Sequence, residues 1–297
     1  MKRTCTLLLI SILAFILPAC GQNAGNTGSG KGTLIVTSFY PMYILTSNIA
    51  DGIEDVEVVN MTEPQTGCLH DYQLVPADLK VLEKADIFVI NGAGMESFLE
   101  KVISQLPDLT IIEAAKGIDL LKDENGEENP HVWVSISGAI QEVKNITNGL
   151  IAADPANEAS YRKNSEKYIA RLEALKQSMH DALKDIRTRD IVTFHEAFPY
   201  FAQEFDLNIV SVIEREPGSE PSAGELAEII QIINDTQVKV LFTEPQYSPK
   251  AAESIAAQTG ARIYVLDPIV TGPKDAELDS YERAMKENLD VLIEALA

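Results

Sequence analysis

Eight short runs of apolar, mostly β-branched residues recur along this chain. TLIVTSF (33–39), VEVVNM (56–61), IFVING (87–92) and TIIEAA (110–115) form a first set. DIVTFH (190–195), NIVSVI (208–213), VKVLFTE (238–244) and RIYVLD (262–267) form a second. A strand with one wet face alternates apolar and polar residues, whereas a strand buried on both faces of a parallel sheet reads as a continuous apolar run. Helical patterns such as ADLKVLEKA (77–85), SAGELAEIIQIIND (222–235) and SPKAAESIAAQTG (248–260) lie between them. The alternation predicts an α/β fold with parallel sheets.

One long helical pattern, 154–188, separates the two sets. Asp154-Pro155 offers a capping side chain followed by proline in the first turn. Tyr161, Tyr168, Leu172, Leu175, Met179, Leu183 and Ile186 then make one apolar stripe, so the helix packs along its whole length. At ~1.5 Å per residue it spans on the order of 45 Å. The expected architecture is two α/β lobes, 33–153 and 189–297, each a parallel sheet flanked by helices and joined by one rigid helix. A continuous rod of this kind resists wide hinge closure.

The first nineteen residues stand apart from the fold. Lys2 and Arg3 precede LLLISILAFIL, which ends at Pro18-Ala19-Cys20. That is a charged start, an apolar run of signal-peptide length and a small residue before a cysteine. The run is shorter than the ~20 residues that span a bilayer. L-P-A-C resembles a bacterial lipobox, which makes 1–19 a lipoprotein signal and Cys20 the lipidated N-terminus. GQNAGNTGSGKG completes 20–32 as a flexible tether with a reach of roughly 20 Å. An extracytoplasmic body anchored to the cell membrane is expected.

The net charge of −21 becomes more negative once Lys2 and Arg3 leave with the signal. Such a surface repels nucleic acid and anionic lipid and attracts cations. Cys5 goes with the signal and Cys20 with the lipid, so Cys68 has no partner and no disulfide framework exists.

In open α/β sheets ligands bind beyond the carboxyl ends of strands. His195 and Asp267 close two strand runs of the second set. His70 lies in the irregular stretch after VEVVNM, and His131 follows the loop leaving TIIEAA. Three of the four histidines and one carboxylate thus fall on the loop side where the lobes could face one another. They are widely separated along the chain, so the spacing has no value as a local motif. Each histidine alone is more often a hydrogen-bonded loop residue than a ligand. His180, between Met179 and Asp181 in the long helix, is expected to face solvent.

LHDYQLVPADLKVLEKADIFVINGAGMESFLEKV, NPHVWVS, VTFHEAFPYFAQEFDL, EPSAGEL, LFTEPQYSP and VLDPI, in that order, resemble the zinc/manganese-specific solute-binding proteins of bacterial ATP-binding-cassette importers. The resemblance covers nearly all of 33–297. It implies a metal site in the cleft between the lobes, with His70, His131, His195 and Asp267 as ligands. It also implies a cognate permease and its ATPase as partners, a monomeric carrier and no enzymatic activity. Three imidazoles and one carboxylate suit zinc, while manganese prefers oxygen and stays open as the alternative. Many zinc members carry a His-rich acidic loop; here KDENGEEN (122–129) is acidic without histidine.

Cys68, two residues before His70, could be a soft zinc ligand, but with four ligands assigned it reads as a small loop residue. Glu244, closing a strand run, is a partner of a ligand or a spare ligand. Trp133 and Tyr72 read as cleft packing, and the sequons at Asn60 and Asn145 as chance. A zinc hydrolase would keep three protein ligands and an open position beside a base; Asp267 would close the site, and Glu196 is the only adjacent base. An adhesin is a further rival, though the sequence shows no host-binding surface.

Overall fold

The computed structural model describes residues 32–63, 68–69, 72–122, 126–213 and 221–297. The signal, tether and Cys20 therefore lie outside the described residues, and so does His70.

All eight apolar runs form strands. β1 (Thr33–Thr37), β2 (Val56–Asn60), β3 (Ile87–Ile90) and β4 (Thr110–Glu113) make one sheet in the order β2-β1-β3-β4. β5 (Asp190–Thr193), β6 (Asn208–Val212), β7 (Val240–Thr243) and β8 (Arg262–Val265) make a second in the order β6-β5-β7-β8. Every pairing is parallel. The connections leave β1 and β5 first to one side and then to the other, so each sheet has a switch point, at β1/β3 and β5/β7.

The strands stop short of the ends that hydrophobicity suggests. β5 ends at Thr193 and β8 at Val265, so His195 and Asp267 each lie two residues past a strand rather than closing it. Phe194 and Leu266 are buried, which keeps the apolar run going after ladder pairing has stopped.

The helices are α1 (Tyr40–Ala50), α2 (Pro76–Leu82), α3 (Glu100–Ile103), α4 (Ile136–Ala153), α5 (Glu158–Ala182), α6 (Pro199–Glu204), α7 (Ala223–Thr236), α8 (Lys250–Thr259) and α9 (Ser280–Leu296). Among the described residues none is long and apolar enough to cross a membrane. The linking helix begins at Glu158, not Asp154, because Pro155–Asn157 form a 3-10 turn first. Asp154 still organises the start, accepting hydrogen bonds from Asn157 Nδ2 (2.8 Å) and Tyr161 OH (2.9 Å). With 25 residues α5 spans ~38 Å. It buries Tyr161, Tyr168, Leu172, Leu175 and Met179 against α1 and α4 on one side and α9 on the other.

The core runs without a break from one lobe into the other. Ile35 and Val89 of the first sheet, the α5 stripe, and Val192 and Phe242 of the second belong to one cluster of buried side chains. Polar bonds cross the same junction. Arg171 of α5 donates to Glu282 Oε1 (2.7 Å) on α9, to Leu278 O (2.9 Å) and to Asn48 Oδ1 on α1. Trp133 donates through Nε1 to Pro268 O (2.9 Å), and Tyr281 OH donates to Trp133 O (2.8 Å). The Glu204 carboxylate, at the end of α6, accepts from Ile136 N (2.6 Å) and Ser137 N (3.0 Å) and so caps α4 from the opposite lobe. A charge there also complements the positive end of the α4 dipole.

Candidate metal site at the junction of the lobes

His195 and Glu244 stand at the β5/β7 switch point. Glu244 is the first residue past β7, and its Oε1 accepts from His195 Nδ1 (2.6 Å) and from His195 N (3.2 Å). An ionised carboxylate can only accept, so Nδ1 carries the hydrogen and Nε2 points onward. Both residues are almost fully buried, at 1 % and 2 % exposure. Burial opposes charge on the His195 ring, but Glu244, helped by Cys68, outweighs it and lifts the pKa to about 10.

His131 comes from the other lobe and is fixed in the same way. Asn129 Nδ2 donates to Glu196 O (2.8 Å), which turns Asn129 Oδ1 toward His131. That oxygen accepts from His131 N (3.0 Å) and lies 3.0 Å from His131 Nδ1. His131 Nδ1 therefore holds the hydrogen, and Nε2 is the ring nitrogen that faces His195 and Cys68. Tyr200 OH pins the same loop by donating to Asn129 O (2.7 Å). Rings pack around both imidazoles: Trp133 lies 5.3 Å from His131 and Tyr247 lies 5.5 Å from His195, centroid to centroid.

The two Nε2 atoms end 3.4 Å apart. Cys68 Sγ completes a triangle with them, at 3.6 Å from His131 and 3.7 Å from His195. Among the described residues these three are the set whose donor atoms all lie within 4.8 Å of one another. Cys68 is thus not merely a small loop residue, since its sulfur faces both rings. Desolvation holds its thiol above the ordinary value even though His195 pulls the other way.

Asp267 lies outside that triangle. Asn288 of α9 brackets its backbone, with Oδ1 accepting from Asp267 N (2.8 Å) and Nδ2 donating to Asp267 O (2.7 Å). The Asp267 Oδ1 accepts from Ile269 N (2.7 Å), and Ile269 adopts φ +61, a left-handed conformation that a β-branched residue avoids. Burial, together with the Glu244 charge, raises the carboxyl to about 6. His180 is exposed and is not part of the triangle, its ring lying 5.0 Å from Phe205. Of the acidic segment 122–129, residues 123–125 lie outside the described residues, while Lys122 and Glu128 pair in a short antiparallel bridge. A cavity of about 860 Å³ between α5 and α9, lined by Arg171, Leu175 and Glu282, holds none of these site residues.

Asn129 and Asn288 escape a reading of the sequence because each is an ordinary polar residue locally. Only the fold turns Asn129 into the tautomer-setting partner of His131.

Two parallel α/β lobes, bridged by one long helix and carrying convergent imidazoles where they meet, define a solute-binding protein of the metal-capturing class. The family model for the periplasmic component A of the zinc-uptake complex matches residues 35–295, and the chain belongs to that family. Its members are binding components of uptake systems and not enzymes. The chain is 34 % identical to the high-affinity zinc uptake system protein ZnuA of Bacillus subtilis, over 99 % of this chain and 98 % of the relative. It is 26 % identical to the manganese-binding lipoprotein MntA of Halalkalibacterium halodurans over the whole of both. A mutant of the laminin-binding adhesin of Streptococcus agalactiae superposes with a TM-score of 0.81 at 29 % identity, covering 90 % of this chain and 100 % of that one.

Proposed function

We propose that this protein captures Zn²⁺ outside the cytoplasmic membrane and delivers it as cargo to the permease of an ATP-driven importer. The observation that carries the metal is the Nε2 pair 3.4 Å apart, each ring held by a partner on Nδ1. A tetrahedral zinc with Zn–N of about 2.0–2.1 Å needs an N···N edge of ~3.3 Å. A hydrogen-bonded partner on the far ring nitrogen is the usual companion of a ligating histidine. His131 and His195 are ligands in this reading, with His70 and Asp267 as the other two. Cys20 carries the lipid that keeps a monomeric carrier at the cell membrane beside its permease and ATPase.

Purification without added metal, followed by elemental analysis and titration against a competing chelator, tests this. The expected result is one zinc per chain, with binding lost in His131→Ala. A manganese-loaded protein that prefers manganese in competition would overturn zinc as the cargo. Wild-type zinc affinity in both His70→Ala and His131→Ala would overturn the site.

A further inference from the structure

We propose that Cys68 is a thiolate ligand of the captured metal and biases the site toward zinc over manganese. The inference rests on the reading that this junction holds a divalent metal, and it puts Cys68 in the place of one of that reading's four ligands. Its basis is distance. For Zn–S of ~2.3 Å and Zn–N of ~2.05 Å, a tetrahedral ion has N···S edges of ~3.6 Å and an N···N edge of ~3.3 Å. The edges in the structure are 3.6, 3.7 and 3.4 Å. One point therefore lies at bonding distance from all three atoms without any side chain having to move. The fourth vertex falls to Asp267 or His70.

The chemistry agrees with the geometry. A bound Zn²⁺ deprotonates a coordinating thiol outright, so the Zn–S bond forms as the S–H bond breaks. The Zn–N bond to His195 forms as its Nε2–H bond breaks, and both protons leave to solvent. The thiolate brings a full negative charge to a site whose two imidazoles bring none, in surroundings where an uncompensated dication is costly. Thiolate is a soft donor that favours zinc, whereas manganese favours oxygen. A cysteine here therefore separates two ions of equal charge that a site of histidine and carboxylate alone separates weakly.

X-ray absorption at the zinc edge, on the full chain loaded with one equivalent of zinc, reads the sulfur directly. The expected spectrum contains one sulfur at ~2.3 Å beside nitrogen or oxygen at about 2.0–2.1 Å, and Cys68→Ser removes the sulfur. In chelator competition Cys68→Ser should weaken zinc at least ~10-fold while changing manganese less than ~3-fold. A shell of nitrogen and oxygen alone around a stoichiometric zinc would overturn the thiolate and leave the proposed function standing. Failure of the wild-type protein to hold zinc at all would overturn both. A sulfur shell that persists in Cys68→Ser would come from another cysteine and would also overturn the assignment, and the wild-type spectrum decides the matter even if the variant folds poorly.

Discussion

The two sheets share one strand order, and each places a carboxylate beside its switch point, but they finish that edge for different ends. In the first lobe Glu96 turns inward. Its Oε1 accepts from Ser38 Oγ (2.8 Å) and Asn91 N (2.9 Å), and its Oε2 accepts from Gly92 N (3.0 Å). Burial raises this carboxyl to about 7, and the fully buried Glu142 of α4 beside it is held well above its usual range. In the second lobe Glu244 makes a matching bond to the backbone of the neighbouring strand's loop, but spends its strongest bond on an imidazole that faces out of the lobe. The first edge is closed on itself, and the second is half of a coordination sphere. The side chain just past the first strand of each sheet sets the difference: Ser38 directly after β1, and His195 two residues after β5. A hydroxyl satisfies a carboxylate and ends the chain of bonds, whereas an imidazole passes it on through its second nitrogen.

That contrast predicts unequal consequences for matched substitutions. His195→Ala should lower zinc affinity by well over ~100-fold, beyond what loss of a ligand's hydrogen-bonded partner costs. Ser38→Ala should leave zinc affinity unchanged and cost roughly 0.5–1.5 kcal/mol of stability by removing one of three hydrogen bonds to a buried carboxyl. Chelator-competition titration and denaturant melts of both variants separate the two roles. Equal loss of zinc in both would break the comparison.

Glu244→Gln comes next in size. The amide still fits and can accept from Nδ1, but the charge is gone, so zinc affinity should fall about 10- to 100-fold. The same change at Glu96 should not move it.

The closed edge should announce itself through pH instead. Glu96 is an acid whose folded pKa, about 7, lies above its ordinary 4.5. Between those values the folded state binds more protons than the unfolded one. Stability is therefore fully present below about 4.5 and is lost as pH rises toward 7, by on the order of 3 kcal/mol for Glu96. Glu142, whose two oxygens have no hydrogen-bond partner among the described residues, works in the same direction, as does Asp267. Urea melts of the chelated protein from pH 4.5 to 8 should show this decline, and Glu142→Gln should flatten it. A rise in stability over that range would refute the assignment. The smallest effect belongs to His180→Ala, which should alter neither zinc affinity nor the melting midpoint.

What the sequence disclosed divides along physical lines. The eight strands were legible because a two-sided burial demand writes itself as an apolar run, and their ends were overrun because Phe194 and Leu266 stay buried past the last ladder bond. Helix α4 left a fainter trace, since its buried face carries Glu142 and Thr147 among Ile140, Val143 and Ile146. His131, His195 and Asp267 could be placed by topology alone, each beyond a strand's carboxyl end. Cys68 could not, because it sits in a stretch with no period, and only the meeting of two lobes brings its sulfur to two rings.

The junction that holds the lobes has a consequence for timing. Arg171, Trp133, Tyr281 and Glu204 stitch it with buried and half-buried bonds, so unloading by swinging the halves apart would break all of them together. The cheaper exit passes Cys68, which is the partly exposed corner of the triangle while both imidazoles are buried. Spontaneous departure should then be slow, and the dwell time of the ion becomes a property of whatever docks against that corner. On this view the receiver, and not the carrier, sets the pace of handover.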